Sequence, residues 1–169
     1  MMTAAETLEK LLPSYKQYYD VNSETPLPPF KAEALFVSHV EQYFLVHSAK
    51  LSDIDSKEQI YFAVEEKLSF ERLKELSAIA WENGLKDVVP YYGHKNSDVT
   101  LIVFCDDANE DVMKNCKTIK YSKSYKFTLY GWSNFKLVVA NIGTKKLVSN
   151  RLGSDSKAFI NKFVQKFCL

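Results

Sequence analysis

Two groups of residues in this sequence have types and spacings that bear on chemistry. The first is basic. Lys114, Lys117, Lys120, Lys123 and Lys126 recur every third residue, with Tyr121 and Tyr125 between them and Trp132 and Arg151 beyond. Cationic side chains meet phosphates while aromatic rings stack on bases, so this pattern points to a polyanion. Lys120, Lys123, Lys126, Trp132 and Arg151 are the candidate binding residues. The second group is the E-x-K triplet Glu65-Glu66-Lys67. In metal-dependent hydrolysis, carboxylates hold a magnesium ion and a lysine orients water or offsets developing charge. Glu65 and Lys67 lie two apart, which puts them on one face of a strand. A charged strand end leading into a helix accounts for the same triplet.

Other chemistries lack their motifs. Cys105, Cys116 and Cys168 have no C-x-x-C spacing, and His39, His47 and His94 are scattered. Neither set makes a zinc site, so no metal and no cofactor are expected. There is no G-x-G-x-x-G, no P-loop and no G-x-S-x-G, and five glycines leave little for a phosphate-cradling loop. An odd, scattered set of cysteines fits a reducing compartment, here the cytoplasm. No apolar run approaches a membrane span and the first residues lack a basic-then-apolar leader, so no membrane partner is expected. The partner is unknown, with protein or nucleic acid as the classes to consider.

Charge is distributed unevenly. Residues 1–111 carry 10 Lys+Arg against 20 Asp+Glu, and residues 112–169 carry 12 against Asp155 alone, within a net charge of +1. Either the two parts pack together and neutralise each other, or the basic part faces an anionic partner.

The elements that must position these residues follow from periodicity. Thr3 to Glu6 is a capping box ahead of Leu8, Leu11, Leu12, Tyr15 and Tyr19, which predicts a helix over residues 4–19 that Pro13 interrupts. Residues 20–30, with Pro26, Pro28 and Pro29, read as a linker joining the N-terminal arm (1–19) to the remainder of a single domain, 1–169. Strands are expected at 31–38, 42–50 and 60–64, with 51–58 as a polar connection. Ser69 opens a helix carrying Leu73, Leu76, Ala80 and Trp81, which Asn83-Gly84 ends. Residues 99–105 form a continuous apolar run, expected as an interior strand buried on both faces. A helix follows with Val112, Cys116 and Ile119 inward. Tyr121, Tyr125, Phe127 and Leu129 alternate with polar residues, as in a half-buried strand over 121–130. Strands at 135–141 and 145–149 join at Gly143-Thr144, and a last helix begins at Ser154 or Asp155. The order specifies an α+β fold: a mixed, mostly antiparallel sheet with helices packed on it, containing hairpins and one or two strand–helix–strand units.

Helix, three strands, helix, strand is also the core order of PD-(D/E)XK nucleases, which residues 4–105 loosely resemble. That resemblance implies a second carboxylate across the hairpin from Glu65. If 42–50 pairs antiparallel with 59–66, the acid is Glu41, giving Glu41, Glu65 and Lys67 as the alternative catalytic set. The usual Pro-Asp is absent. A wider resemblance rests on Lys123-Ser124-Tyr125-Lys126-Phe127, Gly131-Trp132 and Ser149-Asn150-Arg151-Leu152-Gly153. These motifs resemble a family of uncharacterised bacterial proteins, a domain of unknown function, and imply a bacterial cytoplasmic protein without assigning an activity. The residues themselves point to a binding or interaction protein rather than an enzyme.

Overall fold

The computed structural model describes residues 2–41, 53–86, 88–90 and 95–167, with the side chains of 38–41 and 53–55 left aside. The expected strand 42–50, His47, His94 and Cys168 lie outside the described residues. In chain order the elements are α1 (Ala4–Tyr15), β1 (Asp20–Asn22), β2 (Ala32–Glu41), β3 (Asp53–Leu68), α2 (Phe70–Lys86), β4 (Asn96–Ala108), α3 (Glu110–Asn115), β5 (Ser122–Ser124), β6 (Trp132–Asn141), β7 (Lys146–Ser149) and α4 (Ser154–Phe167). Two 3-10 turns, Cys116–Thr118 and Arg151–Gly153, precede β5 and α4. No helix among the described residues is long and apolar enough to cross a membrane.

The seven strands form one mixed sheet in the order β1-β2-β3-β4-β6-β5, with β7 also on β6. β3, β4 and β6 are parallel; the other pairings are antiparallel. Residues 99–105 sit between β3 and β6, as expected, and alternate between two cores. Ile102 and Phe104 join Leu11, Phe62, Val138 and Ile160 under α1 and α4. Leu101, Val103 and Cys105 join Leu73, Leu76, Val112 and Leu137 under α2 and α3. A helix layer on each face buries both sides of β4, which is why its sequence shows no polar alternation.

Local signals hold where the cap or the period is unambiguous. The Thr3 Oγ accepts from the Glu6 N–H at 3.2 Å and the Glu6 carboxylate accepts from the Thr3 N–H at 2.8 Å, closing the capping box. The Arg72 N–H donates to the Ser69 Oγ at 3.1 Å, so Ser69 does cap α2.

Four expectations need correction. α1 runs through Pro13 and stops at Tyr15, short of the expected Tyr19; Pro13 has no N–H to give back to the carbonyl four residues earlier, which weakens this last turn. Part of the expected linker, Asp20–Asn22, adds an edge strand to β2. The expected connection 51–58 holds the start of β3, which pairs with β2 from Asp53 onward. Residues 56–59 are only half-buried and lie beyond both cores, so ladder hydrogen bonds to β2 and β4, rather than an apolar pattern, hold them. Gly84 does not end α2, which runs on to Lys86. A Cβ there would lie 2.5 Å from Val99 Cγ2, so this glycine lets the helix approach β4 closely.

Candidate basic site and its surroundings

The lysine repeat does not survive as one stripe. Lys114, on α3, pairs with Glu110 at 2.7 Å in solvent. Lys117 lies in the following 3-10 turn and Lys120 just after it. The chain then enters β5, and Lys123 and Lys126 travel away with it. A period of three fits one helical face, but the helix ends after a turn and a half, so the later lysines obey other geometry.

Two members of the repeat meet two cations from the C-terminal elements. Lys117, Lys120, Arg151 and Lys157 line one cavity of about 650 Å³ with Thr118, Ser149 and Ser154. No carboxylate lines it. Ser154 opens α4 directly after the 3-10 turn Arg151–Gly153, whose N-cap Asn150 accepts the Gly153 N–H. The predicted residues Lys120 and Arg151 are thus brought together; Lys123, Lys126 and Trp132 are not among the lining residues. Lys157 was missed, since it lies outside the repeat, although the scarcity of acids after Asp111 pointed to its surroundings. Among the described residues, only Lys114 and Lys136 of the basic part form ion pairs with acids. None of the four cavity cations is ion-paired with a described acid.

Asn150 builds this cavity. It is 2% exposed. Its Oδ1 accepts from the Leu137 and Gly153 N–H groups at 3.0 and 2.9 Å. Its Nδ2 donates to the Phe135 and Ile119 carbonyls at 2.9 and 3.2 Å. One amide thereby fastens the segment before β5, the middle of β6 and the turn into α4; Arg151 follows Asn150 in sequence, and Lys120 follows its partner Ile119. Gly153 lies so close that a Cβ would sit 2.4 Å from the Leu137 carbonyl oxygen. In Ser149-Asn150-Arg151-Leu152-Gly153, Asn150 and Gly153 are structural and Arg151 is the group presented.

Residues 121–130 are not the half-buried strand that alternation suggests. β5 pairs with only three residues of β6, and the chain then turns back over residues 125–131. Tyr121 stacks on Trp81 with ring centroids 5.7 Å apart. Phe127, in contrast, is 95% exposed and Leu129 63%. An edge strand of three residues has no helix layer over its far end, a fact that alternation alone does not carry.

The alternative catalytic set is not assembled. Glu41 pairs with Asp53, twelve residues from Glu65 along β3, or about 40 Å at strand rise. The expected hairpin register assumed a strand at 42–50 opposite 59–66; β2 occupies that side of β3 instead. The Glu65 carboxylate accepts from the Arg72 Nε at 2.9 Å, and Arg72 also reaches Glu75 at 2.7 Å. The hydrogen bonds that Arg72 donates to Glu75 and then to Glu65 raise its pKa further. Lys67 is exposed. Glu65 is a strand-to-helix tether. Among the described residues no group of three His, Cys, Asp or Glu side chains is placed to hold a metal.

A second polar cluster escaped the sequence reading. Glu58, Asp98, Thr100 and Lys136 sit side by side on β3, β4 and β6, because Glu58 pairs with Asp98 and Thr100 with Lys136 in the parallel register. Glu58 accepts from the Tyr19 hydroxyl at 2.8 Å, the Thr100 hydroxyl at 2.7 Å and Lys136 at 3.4 Å. Lys136 also pairs with Asp98 at 2.9 Å. Burial alone would lower the Lys136 pKa, but Glu58 and Asp98 outweigh it and raise it. Burial first, and then the Glu58 charge, push the Tyr19 phenol far above its usual value. With these protonation states held in place, the cluster acts as a fixed electrostatic clamp across the sheet.

Cys105 and Cys116 are buried free thiols, each pushed up to about 12 by burial. Acids near Cys105 raise it further, while Lys157 partly offsets the effect at Cys116. Thiolate is the reactive form, so neither thiol should react with iodoacetamide at pH 8 in the folded chain, and both should react in urea. Labelling of either under native conditions, mapped by peptide mass, would contradict this burial.

No curated protein and no solved structure matches this chain. A family model does, over residues 3–162. The match takes in Lys123-Ser124-Tyr125-Lys126-Phe127, Gly131-Trp132 and Ser149-Asn150-Arg151-Leu152-Gly153, the motifs on which the resemblance to a domain of unknown function rested. The chain belongs to the family described as Domain of unknown function (DUF8052).

Proposed function

We propose that this protein is a binding module for a phosphate-bearing anionic partner, which it contacts through the cavity formed by Lys117, Lys120, Arg151 and Lys157. The observation that carries this reading is the convergence of four cations, unpaired with any described acid, on one cavity without a carboxylate. Lys117, Lys120 and Arg151 are exposed and Lys157 half-buried, so solvent screens their mutual repulsion while an anion placed among them meets all four charges. Arg151 supplies a planar fork suited to two phosphate oxygens, and the lysines supply mobile point charges.

The test is salt-dependent binding of a single-stranded oligonucleotide and of inorganic polyphosphate. Four phosphate contacts correspond to a loss of about 50-fold in oligonucleotide affinity between 50 and 200 mM salt, from a slope of about −0.7 per contact. Replacing all four cations with Ala should remove most of both affinity and slope. The reading fails if neither probe binds at low salt, or if the fourfold variant binds with the same slope as the native chain.

A further inference from the structure

We infer that the turn over residues 125–131 is a surface anchor that inserts Phe127 and Leu129 into an anionic lipid bilayer. Its support is separate from the cavity at α4, and the inference stands whether or not that cavity takes a phosphate.

The turn is a built structure. Its backbone closes on itself through Tyr125 N–H to Gly131 O at 3.0 Å, Tyr130 N–H to Tyr125 O at 3.2 Å, Leu129 N–H to Lys126 O at 3.1 Å and Gly131 N–H to Thr128 O at 3.1 Å. The Tyr125 hydroxyl is 3.0 Å from the Ser133 hydroxyl, which ties the base of the turn to β6. Within this frame three consecutive non-glycine residues, Lys126, Phe127 and Thr128, take φ of 44°, 53° and 73°. Left-handed backbone is unfavourable for bulky and β-branched side chains, and a run of three is kept only where the surroundings enforce it. The outcome of that strain is to hold Phe127 almost wholly in water, with Leu129 beside it. Nothing in the folded chain gains from this exposure; an apolar medium outside it would.

The collar around the tip selects the medium. Lys126 lies over the Tyr130 ring at 4.4 Å and Lys123 over the Tyr125 ring at 5.4 Å, and Trp132, 40% exposed, follows the turn. An apolar tip, then tyrosine and tryptophan, then lysines is the order of groups met on passing from acyl chains through the interface to anionic headgroups. Lysine stems can lie along the apolar surface while their ammonium groups reach phosphate. Leu129 has no ring to stack on a base, which disfavours a nucleic-acid platform. The expectation of no membrane partner rested on the lack of a spanning segment, and a surface anchor needs none.

The experiment is flotation of the full chain with vesicles of phosphatidylcholine alone and of equal parts phosphatidylcholine and phosphatidylglycerol. The chain should float with the mixed vesicles and much less with phosphatidylcholine. Phe127→Ala with Leu129→Ala should reduce partitioning tenfold or more, without changing the thermal midpoint or polyphosphate binding. Brominated acyl chains should quench fluorescence in the native chain and not in Trp132→Phe. Failure of the native chain to float, or equal flotation of the double variant, would overturn the anchor. So would loss of oligonucleotide binding in the double variant with flotation intact, which would make the turn a stacking element. Loss of polyphosphate binding in the cavity variant, with flotation retained, would bear on the cavity reading alone.

Discussion

Asn150→Ala should lower the free energy of unfolding by about 3–5 kcal/mol. The Asn150 side chain satisfies two N–H groups and two carbonyls from three separate segments, and it is almost completely buried. Truncation leaves the Leu137 N–H and the Phe135 and Ile119 carbonyls short of partners, at about 1–3 kcal/mol for each group that water cannot reach. The Gly153 N–H is partly spared because it also points at the Asn150 carbonyl oxygen at 3.3 Å. In a chain of 169 residues the loss corresponds to a fall of about 10 °C in the thermal midpoint. Asn150→Asp should be nearly as damaging, since it removes both donors and adds a charge. Leu152→Ala, at a half-exposed neighbour, should change stability by less than about 0.5 kcal/mol. A urea midpoint for Asn150→Ala within error of the native value would refute the hub. A partly folded Asn150→Ala chain should also bind polyphosphate poorly, because the same amide positions Lys120 and Arg151.

Lys136→Met should cost about 2–4 kcal/mol at neutral pH. The substitution leaves Glu58 and Asp98, paired residues of adjacent strands, without their shared cation. Their side chains are 17% and 13% exposed, so solvent screens part of the repulsion, which holds the figure below that of a fully buried pair. One Asp98 oxygen, Oδ1, is already buried without a hydrogen-bond partner, which makes this carboxylate the more sensitive of the two. The pH dependence follows from linkage. In the native chain the raised Lys136 pKa keeps its contribution fully in place below the ordinary value of 10.5, and removes it only as pH climbs past the folded value. In the variant the folded state takes up a proton on a carboxyl more readily than the unfolded chain does. Its deficit should therefore narrow as pH falls through the carboxylate range. Adding Asp98→Asn to Lys136→Met should recover part of the loss at neutral pH, and the double-mutant cycle gives the coupling directly. An unchanged deficit between pH 4 and pH 7, with no recovery in the double variant, would show that Lys136 acts through packing instead.

These two sites were legible in the sequence to different degrees. The Ser149-Asn150-Arg151-Leu152-Gly153 motif was visible as a family marker, and Arg151 as a candidate contact. Nothing in the string showed that its asparagine is turned inward and its arginine outward. Glu58 lay in a segment expected as a polar connection, and Asp98 and Lys136 are 38 residues apart. They meet because β4 and β6 run parallel in a register that puts Thr100 beside Lys136, and register is a property of the assembled sheet.

What the sequence by itself determined is the local and periodic part of this protein. The α+β class, the capped starts of α1 and α2, the doubly buried strand over residues 99–105 and the inward Val112, Cys116 and Ile119 all follow from patterns a few residues long. Those patterns depend on hydrogen bonds and apolar spacing within a single element, so they need no knowledge of the rest. Only the tertiary structure decided the site. It broke the lysine repeat where a short helix gives way to an edge strand, and it gathered Lys117 and Lys120 with Arg151 and Lys157 from across the sheet. It separated Glu41 from Glu65, and it turned Phe127 and Leu129 outward where no helix covers the end of β5. Convergence of distant residues is set by strand order, register and which faces the helices cover, and these are consequences of packing the whole chain at once.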